Sequence, residues 1–269
     1  MTADAAGVRP VAVVTGAARG IGAAVAEALA AGGWDLVLGD VDRPDAVAGL
    51  TYPLAGPDDL AEVARRCEKS GAQVVTAACD VRDADAVRAL VALAGDRLRA
   101  AVAVAGVLGA DGPAWEQSPA DLERDLAVNL HGVAHLARAA VPRLLASPDP
   151  AACRFVAVVS AAGERGLPRL ASYVASKHAA LGYVRSLAAD LAPHGVTANA
   201  VLPGSTRTRM LERTAAAYGL ASVEDFAGHQ RLGRLLEPAE VAAAVGWLCS
   251  AAASGTTGAA IGVDGGFTG

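Results

Sequence analysis

Tyr173 and Lys177 stand four apart in the stretch Tyr173-Val174-Ala175-Ser176-Lys177, and on a helix that spacing sets phenol and ammonium on one face, one turn apart. Together they can move a proton. A free phenol titrates near pH 10, too high for a base at neutral pH, whereas a neighbouring ammonium favours the phenolate. The bland alternative is a solvent-facing helix pair. The chain has four tyrosines and only two lysines, Lys69 and Lys177, so random placement seldom yields the combination. Ser160 closes an apolar run 13 residues before Tyr173, where its hydroxyl can orient a substrate oxygen. Asn129 falls within a helical stretch; asparagine is a poor helix former and needs a local reason to be there, such as holding a proton-relay water.

A second constellation lies near the start. Thr15-Gly16-Ala17-Ala18-Arg19-Gly20-Ile21-Gly22 runs straight out of the apolar segment 11–15 into an alanine-rich stretch. Glycines allow a tight turn and bring backbone N–H groups close to a diphosphate, whose charge the following helix N-terminus favours. In a chain with 30 glycines such a turn alone is weak, and its position between the first strand and the first helix is what gives it meaning. Asp40 stands 18 residues beyond Gly22, where a carboxylate can hold the ribose hydroxyls of NAD. Arg19 pulls the other way, toward the 2′-phosphate of NADP. Magnitude favours NAD: a carboxylate about 4 Å from a phosphate charge costs roughly 4 kcal/mol at an effective dielectric near 20. A simple turn-capping role for Asp40 is the competing reading.

The elements that must position these groups follow from alternating patterns. Short β-branched runs are expected as strands at 11–15, 35–39, 73–78, 100–105, 154–160, 196–201 and 259–263. Helices are expected at 20–31, 58–70, 83–95, 119–146, 171–192 and 238–252. Seven strands with crossover helices predict a doubly wound parallel α/β sheet within a single domain, 1–269, with ligands at the carboxyl ends of the strands. Two stretches break the alternation. Residues 41–57, with three prolines, are too long for an ordinary connection and read as a functional insertion. Residues 205–236, mixed and polar after Pro203-Gly204, suit a mobile lid over a substrate.

Taken together, Tyr173-x-x-x-Lys177, Ser160, Asn129, Thr15-Gly16-x-x-x-Gly20-x-Gly22, Pro203-Gly204-x-x-x-Thr208 and the closing Val263-Asp264-Gly265-Gly266 resemble the short-chain dehydrogenase/reductase family over essentially the whole chain. That resemblance implies a Rossmann-type fold and a homotetramer. It makes Tyr173 the general acid/base and Ser160 the substrate-oxygen ligand, with Lys177 on the nicotinamide ribose and Asn129 supporting a relay. It also implies a cofactor site of Gly16, Arg19, Gly20, Ile21, Gly22, Asp40, Val41, Asp80, Val81, Ala105, Gly106, Tyr173, Lys177, Pro203, Gly204, Thr206 and Thr208, with Asp80-Val81 at the adenine and Pro203 to Thr208 at the carboxamide. Two departures stand out. Val104-Ala105-Gly106 replaces the family's usual Asn-Ala-Gly, losing a side chain that braces the neighbouring strand. The span from Asp40 to Asp80 is about a dozen residues longer than usual. That insertion, with Thr51-Tyr52-Pro53-Leu54, Leu232-Gly233-Arg234-Leu235-Leu236 and Asp264-Gly265-Gly266-Phe267-Thr268-Gly269, resembles the mycofactocin-coupled branch. In that branch the insertion covers NAD so that it does not exchange, and electrons leave through mycofactocin.

Bulk properties bound the remaining classes. A net charge of −5 with no basic face argues against nucleic acid. No apolar run reaches the roughly 18 residues of a membrane span, and residues 1–10 lack the pattern of a secretory signal; a soluble cytoplasmic protein is expected. Cys67, Cys79, Cys153 and Cys249 show no paired spacing, so neither disulfides nor zinc are expected. His131 and His135, four apart, have no third ligand and read as packing or surface residues; His178 reads as an interface residue. The lid residues Met210, Leu211, Tyr218, Leu220 and Phe226 point to a moderately apolar secondary alcohol or its ketone. An NADPH-dependent ketone or 3-oxoacyl reductase is the rival enzymatic reading, and an idle nucleotide-binding scaffold the rival from another class.

Overall fold

The computed structural model describes residues 8–269; the first seven residues of the segment tested for a secretory signal lie outside them. Seven parallel strands form one sheet in the order β3-β2-β1-β4-β5-β6-β7. They are β1 (Val11–Thr15), β2 (Asp35–Asp40), β3 (Val74–Ala78), β4 (Leu98–Ala103), β5 (Arg154–Val158), β6 (Thr197–Pro203) and β7 (Ala260–Val263). The central strands β1 and β5 are buried at every position, as continuous apolar runs in a sheet covered on both faces must be. Helices α1 (Gly20–Ala31), α2 (Pro57–Glu68) and α8 (Pro238–Leu248) cover one face. On the other lie α3 (Ala84–Ala92), α4 (Pro119–Leu126), α5 (Gly132–Leu145) and α6 (Ala171–Leu191). Two apolar cores result, one on each side of the sheet.

The strand order reverses between β1 and β4, both of which pair in register at Thr15 and Ala103. At that switch point the loops after the two strands diverge and leave a crevice at the carboxyl ends. Element boundaries lie within four residues of the sequence expectation, with one correction. The single helix expected over 119–146 is two helices joined by a π-helical segment, Ala127–His131. Asn129 sits at its centre, and insertion of such a wide turn is how a helix turns a side chain out of its normal register. The stretch 205–236, expected as an irregular polar lid, contains helix α7 (Arg209–Ala217) and a 3₁₀ stretch, Val223–His229. The four cysteines are buried, and among the described residues no helix is long and apolar enough to cross a membrane.

Candidate active site

The glycines of the first loop are demanded by close approach. Gly16 has φ +69°, and a methyl group there would lie 2.5 Å from the backbone N and Cα of Ala105; one at Gly22 would lie 1.9 Å from the Gly16 carbonyl oxygen. The loop after β1 is thus pressed against Val104-Ala105-Gly106, and Val104 N donates to Thr15 O at 3.2 Å. Backbone contact does here what the missing asparagine would do by side chain. Arg19 is the N-cap of α1 and makes no side-chain cap, so the first-turn N–H groups at Gly20, Ile21 and Gly22 have no partner within the helix. A glycine cradle at a helix N-terminus fits the diphosphate of a dinucleotide.

Asp40, at the tip of β2, accepts hydrogen bonds from Ala18 N (2.9 Å) and Val41 N (2.8 Å). It therefore both caps the glycine loop and lines the crevice. Burial pushes its carboxyl above the usual carboxylate range, against those two N–H donors and Arg19. Arg19, the residue that favoured NADP in the sequence, donates instead to Pro53 O in the insertion at 2.8 Å. The insertion is anchored twice more. Arg82 donates to Ala46 O at 2.6 Å while gripping Asp80, and Leu108 N donates to the Tyr52 hydroxyl at 3.0 Å. Val47 and Ala55 are buried in the two cores. Residues 41–57 lie fastened along the cavity, which Val41, Val47, Tyr52, Leu54 and Ala55 line.

Helix α6 presents its buried stripe at helical spacing, Tyr173, Ser176, Lys177, Ala180, Leu181, Val184 and onward, so phenol and ammonium share a face as the spacing predicted. The Lys177 Nζ lies 5.7 Å from the centroid of the Tyr173 ring. Ser160, just beyond β5, lines the same cavity as the Tyr173 phenol, and its hydroxyl oxygen accepts from Ala162 N at 3.0 Å. Burial pushes the Tyr173 phenol up to about 12, with the neighbouring Ser160 opposing. Burial also pushes the Lys177 ammonium down to about 8, opposed by Asp125. For Lys177 desolvation outweighs the charge of Asp125, because the ammonium lies almost wholly inside the protein.

Asn129 finds its local reason in bracing. Its Oδ1 accepts from Val107 N and its Nδ2 donates to Val107 O and to Ser176 Oγ, each at 2.9 Å. It ties the loop after β4 to α6 at Ser176, next to Lys177. Apart from Asn129, every residue expected at the site lines one cavity of about 960 Å³, in which Ser160, Tyr173 and Lys177 share walls with Gly16, Gly20, Asp40 and Thr208. The lid supplies Met210, whose Sδ is 3.9 Å from the Tyr173 hydroxyl, together with Leu211, Tyr218, Leu220 and Phe226. Thr208 caps α7 through Leu211 N. His131 and His135 belong to no metal cluster among the described residues, and His135 instead faces the Val81 carbonyl at 2.9 Å; His178 is exposed.

Three participants were not legible in the sequence. The hydroxyl of Tyr52 reaches across to Leu108. Phe267 lines the cavity, its carbonyl held by Arg165. Asp125 is fully buried behind the site; its place one helical turn before Asn129 was the signal that could have found it.

Comparison with known proteins converges on one group. A family model described as enoyl-(acyl carrier protein) reductase matches residues 16–268. The chain is 35% identical to (−)-trans-carveol dehydrogenase of Rhodococcus erythropolis, covering 96% of this chain and 97% of that protein. It is 36% identical to cis-4-hydroxycyclohexanecarboxylate dehydrogenase of Sinomonas cyclohexanicum, with 96% of each covered. The crystal structure of carveol dehydrogenase from Mycobacterium avium in complex with NAD superposes with a TM-score of 0.89 at 31% identity, over 96% of this chain and 97% of that one.

Proposed function

The chain belongs to the short-chain dehydrogenase/reductase family of oxidoreductases, and from that premise we propose that it interconverts an apolar, ring-bearing secondary alcohol and its ketone with NAD held in the cleft. The observation that carries this reading is the meeting of Ser160, Tyr173 and Lys177 with the glycine cradle in one cavity. Two dehydrogenases among its relatives act, by their names, on carveol and on cis-4-hydroxycyclohexanecarboxylate, both ring-bearing alcohols. The lining of Leu108, Leu167, Leu170, Met210 and Tyr218 suits such a ring.

The residues divide the work. Gly16, Gly20, Ile21 and Gly22 offer amides to the diphosphate and Asp40 a carboxylate to the adenosine ribose, with Val41, Asp80 and Val81 about the adenine. Ala105, Gly106, Pro203, Gly204, Thr206 and Thr208 border the nicotinamide end. Bound NAD supplies the hydride acceptor and a positive charge that favours the Tyr173 phenolate. Ser160 orients the substrate oxygen, Tyr173 Oη takes the hydroxyl proton, and Lys177 holds the ribose and lowers the phenol's proton affinity. Met210 and the lid keep water from the exchange. Asp40, a carboxylate at the tip of β2, supports NAD over NADP.

The three anchors of residues 41–57 support a cofactor that stays bound, re-oxidised by mycofactocin as an external acceptor. A homotetramer is part of the same reading. Two measurements test it. Nucleotide released into the supernatant on denaturing purified protein should be NAD in near-stoichiometric amount, and an empty supernatant from active enzyme refutes retention. Tyr173→Phe should lower turnover of cyclic secondary alcohols, assayed with an artificial electron acceptor, by roughly 10²–10⁴-fold; unchanged turnover refutes the assigned base.

A further inference from the structure

We propose that Asp125 is a positioning residue of this site, a buried carboxylate that keeps Lys177 charged and through it sets the pH range over which Tyr173 exchanges its proton. The inference rests on the reading of Tyr173 and Lys177 as the proton-transfer pair.

Asp125 is 0% exposed, near the end of α4, on the same helix face as Asn129. Its Oδ1 accepts from Gly109 N at 3.0 Å; its Oδ2 is buried with no partner. A carboxylate in that position calls for an opposite charge nearby, since its second oxygen is shut off from the surface and has no protein donor. Of the cations nearby, Arg124, which acts most on Asp125, is also paired to Asp121 at 2.6 Å, and Arg213 is paired to Asp111 at 2.6 Å. Lys177 has no such carboxylate pair among the described residues. Helix α4 packs on α6, and the loop after β4 runs past both groups with glycine where each comes close. A methyl group at Gly109 would lie 2.6 Å from Asp125 Oδ1, and one at Gly106 would lie 3.2 Å from both Lys177 Nζ and Asn129 Oδ1. The loop leaves room for the carboxylate on one side and the ammonium on the other.

The charge acting on Lys177 is that of Asp125, and on Asp125 act Arg124 first and Lys177 second, with Asp121 opposing. Burial pushes Asp125 up to about 6 and Lys177 down to about 8, so between those values both are ionised. The other groups that face the pair leave this window clear. On α4, Asp121 is held low by Arg124; beside α7, Asp111 is held low by Arg213. From the insertion Tyr52, and from α6 Tyr173, are pushed up by burial.

With two lysines in the chain, ε-¹³C-lysine labelling gives two titration curves by NMR, and Lys69→Arg assigns that of Lys177. In the native enzyme Lys177 should titrate near 8, with a smaller inflection near 6 as Asp125 takes up its proton. In Asp125→Asn the lower inflection should vanish and the main one fall by roughly half a unit to one unit, the effect of one removed charge nearby. The pH profile of kcat/KM for alcohol oxidation should move to lower pH with it, because loss of a negative charge lowers the proton affinity of both ammonium and phenol. A Lys177 curve indifferent to the substitution overturns the proposal. So does a native curve without the lower inflection, which decides the matter if the variant does not fold. Failure of the catalytic reading shows separately, as full turnover by Tyr173→Phe alongside an intact coupling of Asp125 to Lys177.

Discussion

Replacing Tyr52 by phenylalanine removes one oxygen atom and leaves the ring in place. In the closed arrangement that oxygen accepts the hydrogen bond of Leu108 N at 3.0 Å. When the insertion lifts, Leu108 N finds water, so the latch is worth only the net difference, about 0.5–1.5 kcal/mol. If lifting of residues 41–57 limits nucleotide exit, Tyr52→Phe should release NAD roughly 2- to 13-fold faster. The anchor from Arg82 to Ala46 O, at 2.6 Å, comes from a charged donor worth about 1.5–3 kcal/mol. Arg82→Ala should therefore exceed Tyr52→Phe. The assay mixes purified protein carrying its own nucleotide with excess isotope-labelled NAD and follows the label in the protein fraction by mass spectrometry. Exchange in Tyr52→Phe and Arg82→Ala at the native rate would refute the reasoning that the insertion fastens the cofactor.

Gly22→Ala should abolish nucleotide retention and lower the melting temperature, since its methyl group would fall 1.9 Å from the Gly16 carbonyl oxygen; a crystal structure with an unmoved loop would contradict this. Lys177 makes a signed prediction for stability. Its folded pKa, about 8 against an ordinary 10.5, means that the unfolded chain binds more protons between those values. The penalty of the buried ammonium is thus full below pH 8 and disappears as pH rises toward 10.5, by up to about 3 kcal/mol. Burial of the four cysteines acts in the opposite sense at alkaline pH, so the informative quantity is the difference between native and Lys177→Met denaturation curves. The advantage of Lys177→Met should shrink from pH 8 to 10.5, and a constant difference across that range would rule the assignment out.

Much of the site was legible because its spacing is local. The four-residue step from Tyr173 to Lys177 becomes a shared face as soon as 171–191 is helical, and the glycines between β1 and α1 announce a backbone that must come close to something. Asn129 announced a disturbance, though the wide turn and the double bond to Val107 could not be read from one residue. The bond of Arg19 to Pro53 could not be read from the sequence, because that partner lies 34 positions away in a stretch with no periodicity to place it.

The linear order of residues determined the parallel sheet, the crevice at its switch point and the identity of the groups facing it, since each depends on periodicity and on the stereochemistry of one turn or one helix. Packing alone decided how those groups titrate and what fastens the insertion. The Tyr52 hydroxyl meets Leu108 across 56 residues, and whether burial or a neighbouring ammonium governs the Tyr173 phenol depends on every atom that excludes water from it, a sum that exists only once the chain is folded.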